Sequence, residues 1–109
     1  MDAREASQLV LDWHDRQLTV DDRRRVLLGS DDSADLTVAR DYASRGHAHI
    51  EHRKQYFVLV DHSTNGTYIQ TEDEKVTFLR RGELRLWGDG WISLGEPLSA
   101  ETAIRFRHT

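Results

Sequence analysis

From Leu9 onward the chain falls into short runs of alternating apolar and polar residues, and no segment shows a 3.6-residue apolar period. Alternation at period two sends successive side chains to opposite faces of a strand, so each run can bury one face in a sheet. Strands are predicted near Leu9 to His14, Gln17 to Val20, Arg25 to Leu28, Leu36 to Val38, Ala48 to His52 and Gln55 to Asp61. Others follow near Thr67 to Gln70, Lys75 to Leu79, Glu83 to Leu86, Trp91 to Leu94 and Thr102 to Arg107. Turn formers separate them, among them Asp15-Arg16, Asp21-Asp22, Gly88-Asp89-Gly90 and Glu96-Pro97. About eleven short strands without intervening helices imply an all-β fold, an antiparallel β-sandwich rather than a parallel α/β sheet.

The 109 residues suffice for one domain with a real core. Residues 1–8 carry no pattern and are expected to form a flexible segment ahead of a domain over residues 9–109. The chain has no cysteine, so disulfides, cysteine-bound zinc and thiol nucleophiles are excluded and stability must come from packing. This fits a cytoplasmic location. No apolar run approaches the roughly 20 residues that span a bilayer, and the first residues lack the apolar stretch of a signal peptide, so no membrane partner is expected. A formal charge of −4 argues against a general nucleic-acid binder, which needs a basic surface to displace counterions. A single phosphate is a different target. Of the 15 basic residues only Lys54 and Lys75 are lysine, and the planar fork of arginine matches phosphate oxygens.

Two polar segments stand at strand ends: Ser44-Arg45-Gly46-His47, and Asp61-His62-Ser63-Thr64-Asn65-Gly66-Thr67. The apolar run Gln55 to Val60 lies between them, so they meet only if the flanking strands pair as a hairpin. In S-R-x-H at Ser44 to His47 and N-G-T at Asn65 to Thr67, the chain resembles the forkhead-associated (FHA) domain, a β-sandwich module that reads phosphothreonine on partner proteins. The likeness extends over residues 9 to 107, through Val26-Leu27-Leu28-Gly29, Asp35-Leu36-x-Val38 and the closing Leu86 to Gly95. That ending, with Asp61 to Tyr68, is most similar to FHA domains attached to bacterial class III nucleotide cyclases. The resemblance implies a threonine-phosphorylated protein or peptide as partner, a nucleotide cyclase in the same chain as an attached or regulated enzyme, and no cofactor.

The same resemblance assigns roles. Ser44, through hydroxyl and N–H, and Arg45, through its charge, would contact the phosphate; Thr64 would add a loop contact, and Asn65 would grip the peptide backbone. His47 would be structural, hydrogen-bonding across the two loops, and Gly66 would supply the positive φ of a tight turn. A phosphothreonine dianion needs such converging donors, because its three phosphate oxygens exchange water for protein hydrogen bonds. Asn-Gly alone is also the commonest hairpin turn.

One position departs from the family pattern. The Gly-Arg pair, whose arginine contacts the ligand, reads Gly29-Ser30 here. Loss of a charge-assisted hydrogen bond costs roughly 1.5–3 kcal/mol, a tenfold loss of affinity or more. Ser30 can still donate a hydroxyl, and Arg40 or Arg45 could compensate in part. The departure opens an alternative: an FHA fold that has become a phosphate-independent interaction or intramolecular regulatory domain. The spacing His47-x-His49 followed by His52 is metal-like, but with only Asp61 and His62 as further nearby ligands no metal site is assigned. No nucleophile with a base, nucleotide phosphate loop or carboxylate pair is present, so the chain is not expected to be an enzyme.

Overall fold

The computed structural model describes residues 8–109. The expected flexible segment, residues 1–8, lies outside the described residues apart from Gln8, whose carbonyl accepts the Thr109 N–H at 3.2 Å. Among the described residues there are eleven strands and no helix: β1 (Leu9–Trp13), β2 (Arg16–Val20), β3 (Val26–Gly29), β4 (Leu36–Thr37), β5 (Ala48–Arg53), β6 (Tyr56–Asp61), β7 (Thr67–Gln70), β8 (Val76–Leu79), β9 (Glu83–Leu86), β10 (Gly90–Leu94) and β11 (Ile104–His108). No helix long and apolar enough to cross a membrane is found among them. The chain is an all-β sandwich. One sheet runs β2-β1-β11-β10-β7-β8 and the other β4-β3-β5-β6-β9. All pairings are antiparallel except β3 with β4.

Alternation decides which side chains enter the core between the sheets. In β11, Ile104 and Phe106 are fully buried while Arg105 faces solvent; across the gap Leu28, Ile50, Phe57 and Leu59 fill the opposite layer. Burying one such large apolar side chain contributes about 1.5–3 kcal/mol. Strand ends fall where the backbone turns left-handed. His14 (φ 54°) stops β1 at Trp13, and Glu74 (φ 68°) delays β8 to Val76. Thr102 lies in a turn before β11, its Oγ1 accepting the Ser99 N–H at 2.9 Å and donating to the Pro97 carbonyl at 3.0 Å.

One hairpin brings the two polar loops to one end. β5 and β6 pair from Arg53↔Tyr56 at the turn to Ala48↔Asp61 at the open end. The loop entering β5 and the loop leaving β6 therefore emerge side by side. β3 pairs with β5 with Leu28 opposite Ala48, which brings the segment after Gly29 to the same end.

Candidate functional site

The inner layer of this end is a buried polar network. The His47 ring is fully buried. Its Nδ1 accepts the Ser44 N–H at 2.9 Å. A backbone N–H can only donate, so Nδ1 carries the lone pair and the ring proton sits on Nε2, which donates to the Gly66 carbonyl at 2.8 Å and to Thr67 Oγ1 at 3.1 Å. One imidazole thus ties the β4–β5 loop to the β6–β7 loop. The ring is held neutral: burial pushes its pKa below the ordinary value, against the raising effects of the Gly66 carbonyl and of Asp61. The Asp61 carboxylate, 3.7 Å from Nε2, is thus not part of an ion pair with it.

Asp61 organises the second half of the network. Its carboxylate accepts from Thr67 Oγ1 at 2.6 Å, the Arg81 N–H at 2.8 Å, Ser63 Oγ at 2.9 Å and the Ser63 N–H at 3.1 Å. Burial raises its pKa, but these donors, led by the Arg81 N–H, outweigh that effect and hold it below the usual carboxylate value. Ser63 Oγ in turn accepts the Gly66 N–H at 2.7 Å. Gly66 takes φ 85°, and a Cβ there would fall 2.4 Å from the Phe78 ring. Gly29 is required by proximity: a Cβ on it would stand 1.9 Å from the Arg45 carbonyl oxygen. The loop carrying Ser44 and Arg45 is laid against β3, with the Ser30 N–H donating to the Ser44 carbonyl at 2.9 Å.

The outer layer is half-buried to fully exposed. Ser44 is half-buried, and its Oγ accepts the Thr64 N–H at 3.3 Å, so the hydroxyl proton remains available. The Ser44 N–H, expected to be a phosphate donor, is instead engaged by His47. Arg45 is exposed and makes no hydrogen bond or ion pair through its side chain among the described residues. Thr64 and Asn65 are exposed beside it; Asn65 Nδ2 donates to the Tyr42 carbonyl at 3.1 Å, leaving Oδ1 open. Ser30 sits at the neighbouring strand end, with no side-chain hydrogen bond among the described residues. Next to it, Asp31 Oδ2 accepts from Ser33 Oγ and N–H, and these bonds, with a smaller contribution from the Arg45 charge, lower its pKa. The structure thus gathers Ser30, Ser44, Arg45, Thr64 and Asn65 at one end, over His47, Gly66 and Gly29. Arg40 is not available to that rim, because Glu96 takes its guanidinium in two hydrogen bonds of 2.7 and 3.2 Å.

The histidine spacing resolves into separate contacts. Both ring nitrogens of His47 are engaged as described, while His49 Nε2 donates to Glu51 Oε1 at 2.7 Å and its Nδ1 accepts from His62 Nε2 at 2.8 Å. Among the described residues no group of three or more His, Asp or Glu side chains could hold a metal ion. Sequence reasoning missed Ser63 and Thr67 as members of the network and considered Asp61 only as a metal ligand. The Asp-x-Ser spacing, typical of side chains that cap their own turn, was the available signal. It also missed Arg80 and Arg81, which donate from the β8–β9 turn to the Thr64 and Ser63 carbonyls.

No curated protein sequence matches the chain. Among solved structures, the chain is similar to FHA-1 of Rv1747 from Mycobacterium tuberculosis, at 22% identity over 94% of this chain and 97% of that one, with a TM-score of 0.76. It is similar to the FHA domain of an Arabidopsis thaliana hypothetical protein, at 19% identity over 100% and 92%, with a TM-score of 0.77. A third is the MEK1 FHA domain in complex with a HOP1 phosphothreonine peptide, at 18% identity over 93% and 96%, with a TM-score of 0.71. At these identities the likeness establishes the fold. The sequence model of the FHA domain matches residues 26–85, more than half of the chain and the stretch that carries both loops, and on that match the chain belongs to the FHA domain family.

Proposed function

We propose that this chain is a phosphothreonine-peptide-binding interaction module in signalling, and not an enzyme. The observation that carries the reading is the meeting of both loops at one hydroxyl, Ser44 Oγ, which accepts the Thr64 N–H and keeps its own proton to donate outward. Beside it stand the Arg45 guanidinium and Oδ1 of Asn65, neither with a partner among the described residues. A phosphothreonine offers three acceptor oxygens and close to two negative charges to such donors, and an asparagine carbonyl suits a peptide N–H. The inner network fixes these groups before a ligand arrives, which lowers the ordering cost of binding. The complex of the MEK1 FHA domain with a phosphothreonine peptide supports the same ligand class. The resemblance of Asp61 to Tyr68 and Leu86 to Gly95 to cyclase-attached domains supports a nucleotide cyclase, in the same chain or bound to it, as the enzyme regulated.

Ser30 favours a second reading, a phosphate-independent interaction or intramolecular regulatory domain, since the guanidinium expected there is missing. Calorimetric titration with a phosphothreonine peptide library and its unmodified twin separates the two. Binding of the phosphorylated library alone is expected. Ser44→Ala or Arg45→Ala should weaken it at least about tenfold while moving the melting temperature by no more than about 4 °C. Equal binding of both libraries would favour the second reading.

A further inference from the structure

Of the four strands that edge the two sheets, three are protected. β2 carries Arg16, β9 carries Glu83 and Arg85, and β4 is two residues long. Charge and short length both discourage a bare edge from pairing with another chain. β8 is the exception, since its four residues, Val76-Thr77-Phe78-Leu79, include no charge. Val76 and Phe78 are 54% and 51% exposed, and the Phe78 ring lies 4.9 Å from that of Tyr68 on the neighbouring β7. The main chain is open as well. The Thr71 N–H donates to the Lys75 carbonyl, so Lys75 turns its carbonyl toward β7. Opposed residues in an antiparallel ladder alternate between bonded and unbonded pairs. Counting on from Lys75, Thr77 and Leu79 are bonded to Ile69 and Thr67, while Val76 and Phe78 turn their N–H and C=O groups away from β7.

We propose that β8 pairs antiparallel with β8 of a second copy of this chain, about a two-fold axis at Thr77, so that the two six-stranded sheets become one. The charges on either side of the strand are self-complementary: Glu72-Asp73-Glu74 precedes it and Arg80-Arg81 follows it. All five are exposed, and none is in an ion pair among the described residues. The Arg80 and Arg81 guanidinium groups are held through Nε on the Thr64 and Ser63 carbonyls, and their terminal nitrogens have no partner there. Because Val76 and Phe78 supply the outward bonds, a symmetric pair centred on this strand has its axis at Val76, Thr77 or Phe78. An axis at Val76 sets Glu74 opposite Phe78, and one at Phe78 sets Lys75 opposite Arg81. The axis at Thr77 alone sets Val76 opposite Phe78, Glu74 opposite Arg80 and Asp73 opposite Arg81. An aromatic facing a β-branched residue, and opposite charges facing each other, are the stabilising cross-strand pairs. The contact uses the same patch on both copies, so it closes as a dimer rather than growing into a filament. No residue of the Ser44 and Arg45 rim takes part.

Sedimentation velocity on the full chain tests the pairing. So short a contact is small beside the roughly 1,200–2,000 Å² of a stable interface, so a reversible dimer is expected between about 10 µM and about 1 mM. Val76→Pro removes an N–H that faces away from β7, which spares the β7–β8 ladder, and should weaken the dimer at least about tenfold. Glu74→Lys and Arg80→Glu should each weaken self-association about threefold or more. An equimolar mixture of these two variants should regain the dimer of the parent, because each supplies the charge that the other lacks. If Val76→Pro lowers the melting temperature, the two charge variants decide alone. A chain that stays monomeric up to the highest concentration overturns the pairing and leaves the edge to a strand of another protein. A dimer unchanged in all three variants uses a different surface and also overturns it. A mixture no tighter than either charge variant by itself overturns the register at Thr77, and the proposal with it.

Discussion

The two layers at the open end of the β5–β6 hairpin differ in how much of their hydrogen-bonding capacity the protein itself uses. In the inner layer, His47, Asp61, Ser63 and Thr67 are between 0 and 3% exposed, and each side chain is engaged by named partners. In the outer layer, Ser30 Oγ, the Arg45 guanidinium and Asn65 Oδ1 have no partner among the described residues. The contrast follows from solvent. A buried donor or acceptor left unpaired costs about 1–3 kcal/mol, so the inner layer must be complete without a ligand. Exposed groups are satisfied by water and keep their capacity for one. Substitutions inside should therefore register as stability, and substitutions outside as affinity.

The strongest attempt to break this division is Asp61→Ala. It leaves Ser63, Thr67 and the Arg81 N–H without their acceptor inside the protein. The expected loss is about 3–5 kcal/mol, a fall in melting temperature of roughly 15–25 °C for a domain of this size. A near-native melt would show that the network is not what holds the loops. Gly29→Ala comes next, and it couples the layers. A Cβ 1.9 Å from the Arg45 carbonyl oxygen forces β3 or the loop to move. Stability should fall by about 1–3 kcal/mol, and phosphopeptide affinity should fall with it, because Arg45 is displaced. An affinity change without a change in melting would mean that the loop moves freely of the strand.

The sandwich was legible because burial imposes period two. Ile104 and Phe106 point in and Arg105 out whatever the rest of the chain does, and all eleven strands stand where alternation places them, give or take a residue or two at the ends. The rim residues were legible through resemblance, since two short motifs in fixed order identify the loops. What joins them was not. The acceptor of the His47 proton, Gly66, lies 19 residues away, and the partner of Arg40 lies 56 residues away across the fold. Neither follows from local pattern, because only the registers of β5, β6 and β10 bring them together. Arg80 and Arg81 carry no local signal either; their role depends on a turn folding back onto Ser63 and Thr64.

Acid should loosen the inner layer in a defined window. Burial lowers the pKa of His47 below its ordinary 6.5. Between the two values the unfolded chain binds the extra proton, so this contribution to stability is complete above pH 6.5 and is lost as the pH falls below it. The carboxyls of Asp61, Glu51, Glu83 and Glu96 are lowered from ordinary values of 3.8 or 4.5, so their contributions are lost only at greater acidity. Thermal melts of the unliganded chain between pH 6.5 and 5 should show stability declining by up to about 1.4 kcal/mol per pH unit, the limit for one proton. His47→Asn should be less stable throughout and lose that slope. A slope that persists in the variant would place the titrating group elsewhere.

The smallest expected effect concerns Ser30, where a substitution adds capacity to the outer layer without touching the inner one. Ser30 is half-buried, its N–H is fixed on the Ser44 carbonyl and its hydroxyl has no partner among the described residues, so a longer side chain is directed along the rim. Asp31, the nearest acid in sequence, accepts both Ser33 hydrogen bonds through Oδ2, so its other oxygen would compete with the phosphate for a new guanidinium. In Ser30→Arg, a charge-assisted hydrogen bond worth about 1.5–3 kcal/mol is offset by up to about 2 kcal/mol for ordering the side chain. The net gain in phosphothreonine affinity should be about threefold to tenfold. Melting should stay within about 4 °C of the parent, as for other substitutions outside the core. The unmodified twin should gain little, because the added group acts on the phosphate. A loop repacked around serine for another kind of partner would instead give no phosphate-dependent gain, and titration of both proteins with the matched peptides distinguishes a module lacking one contact from one that has left phosphate recognition behind.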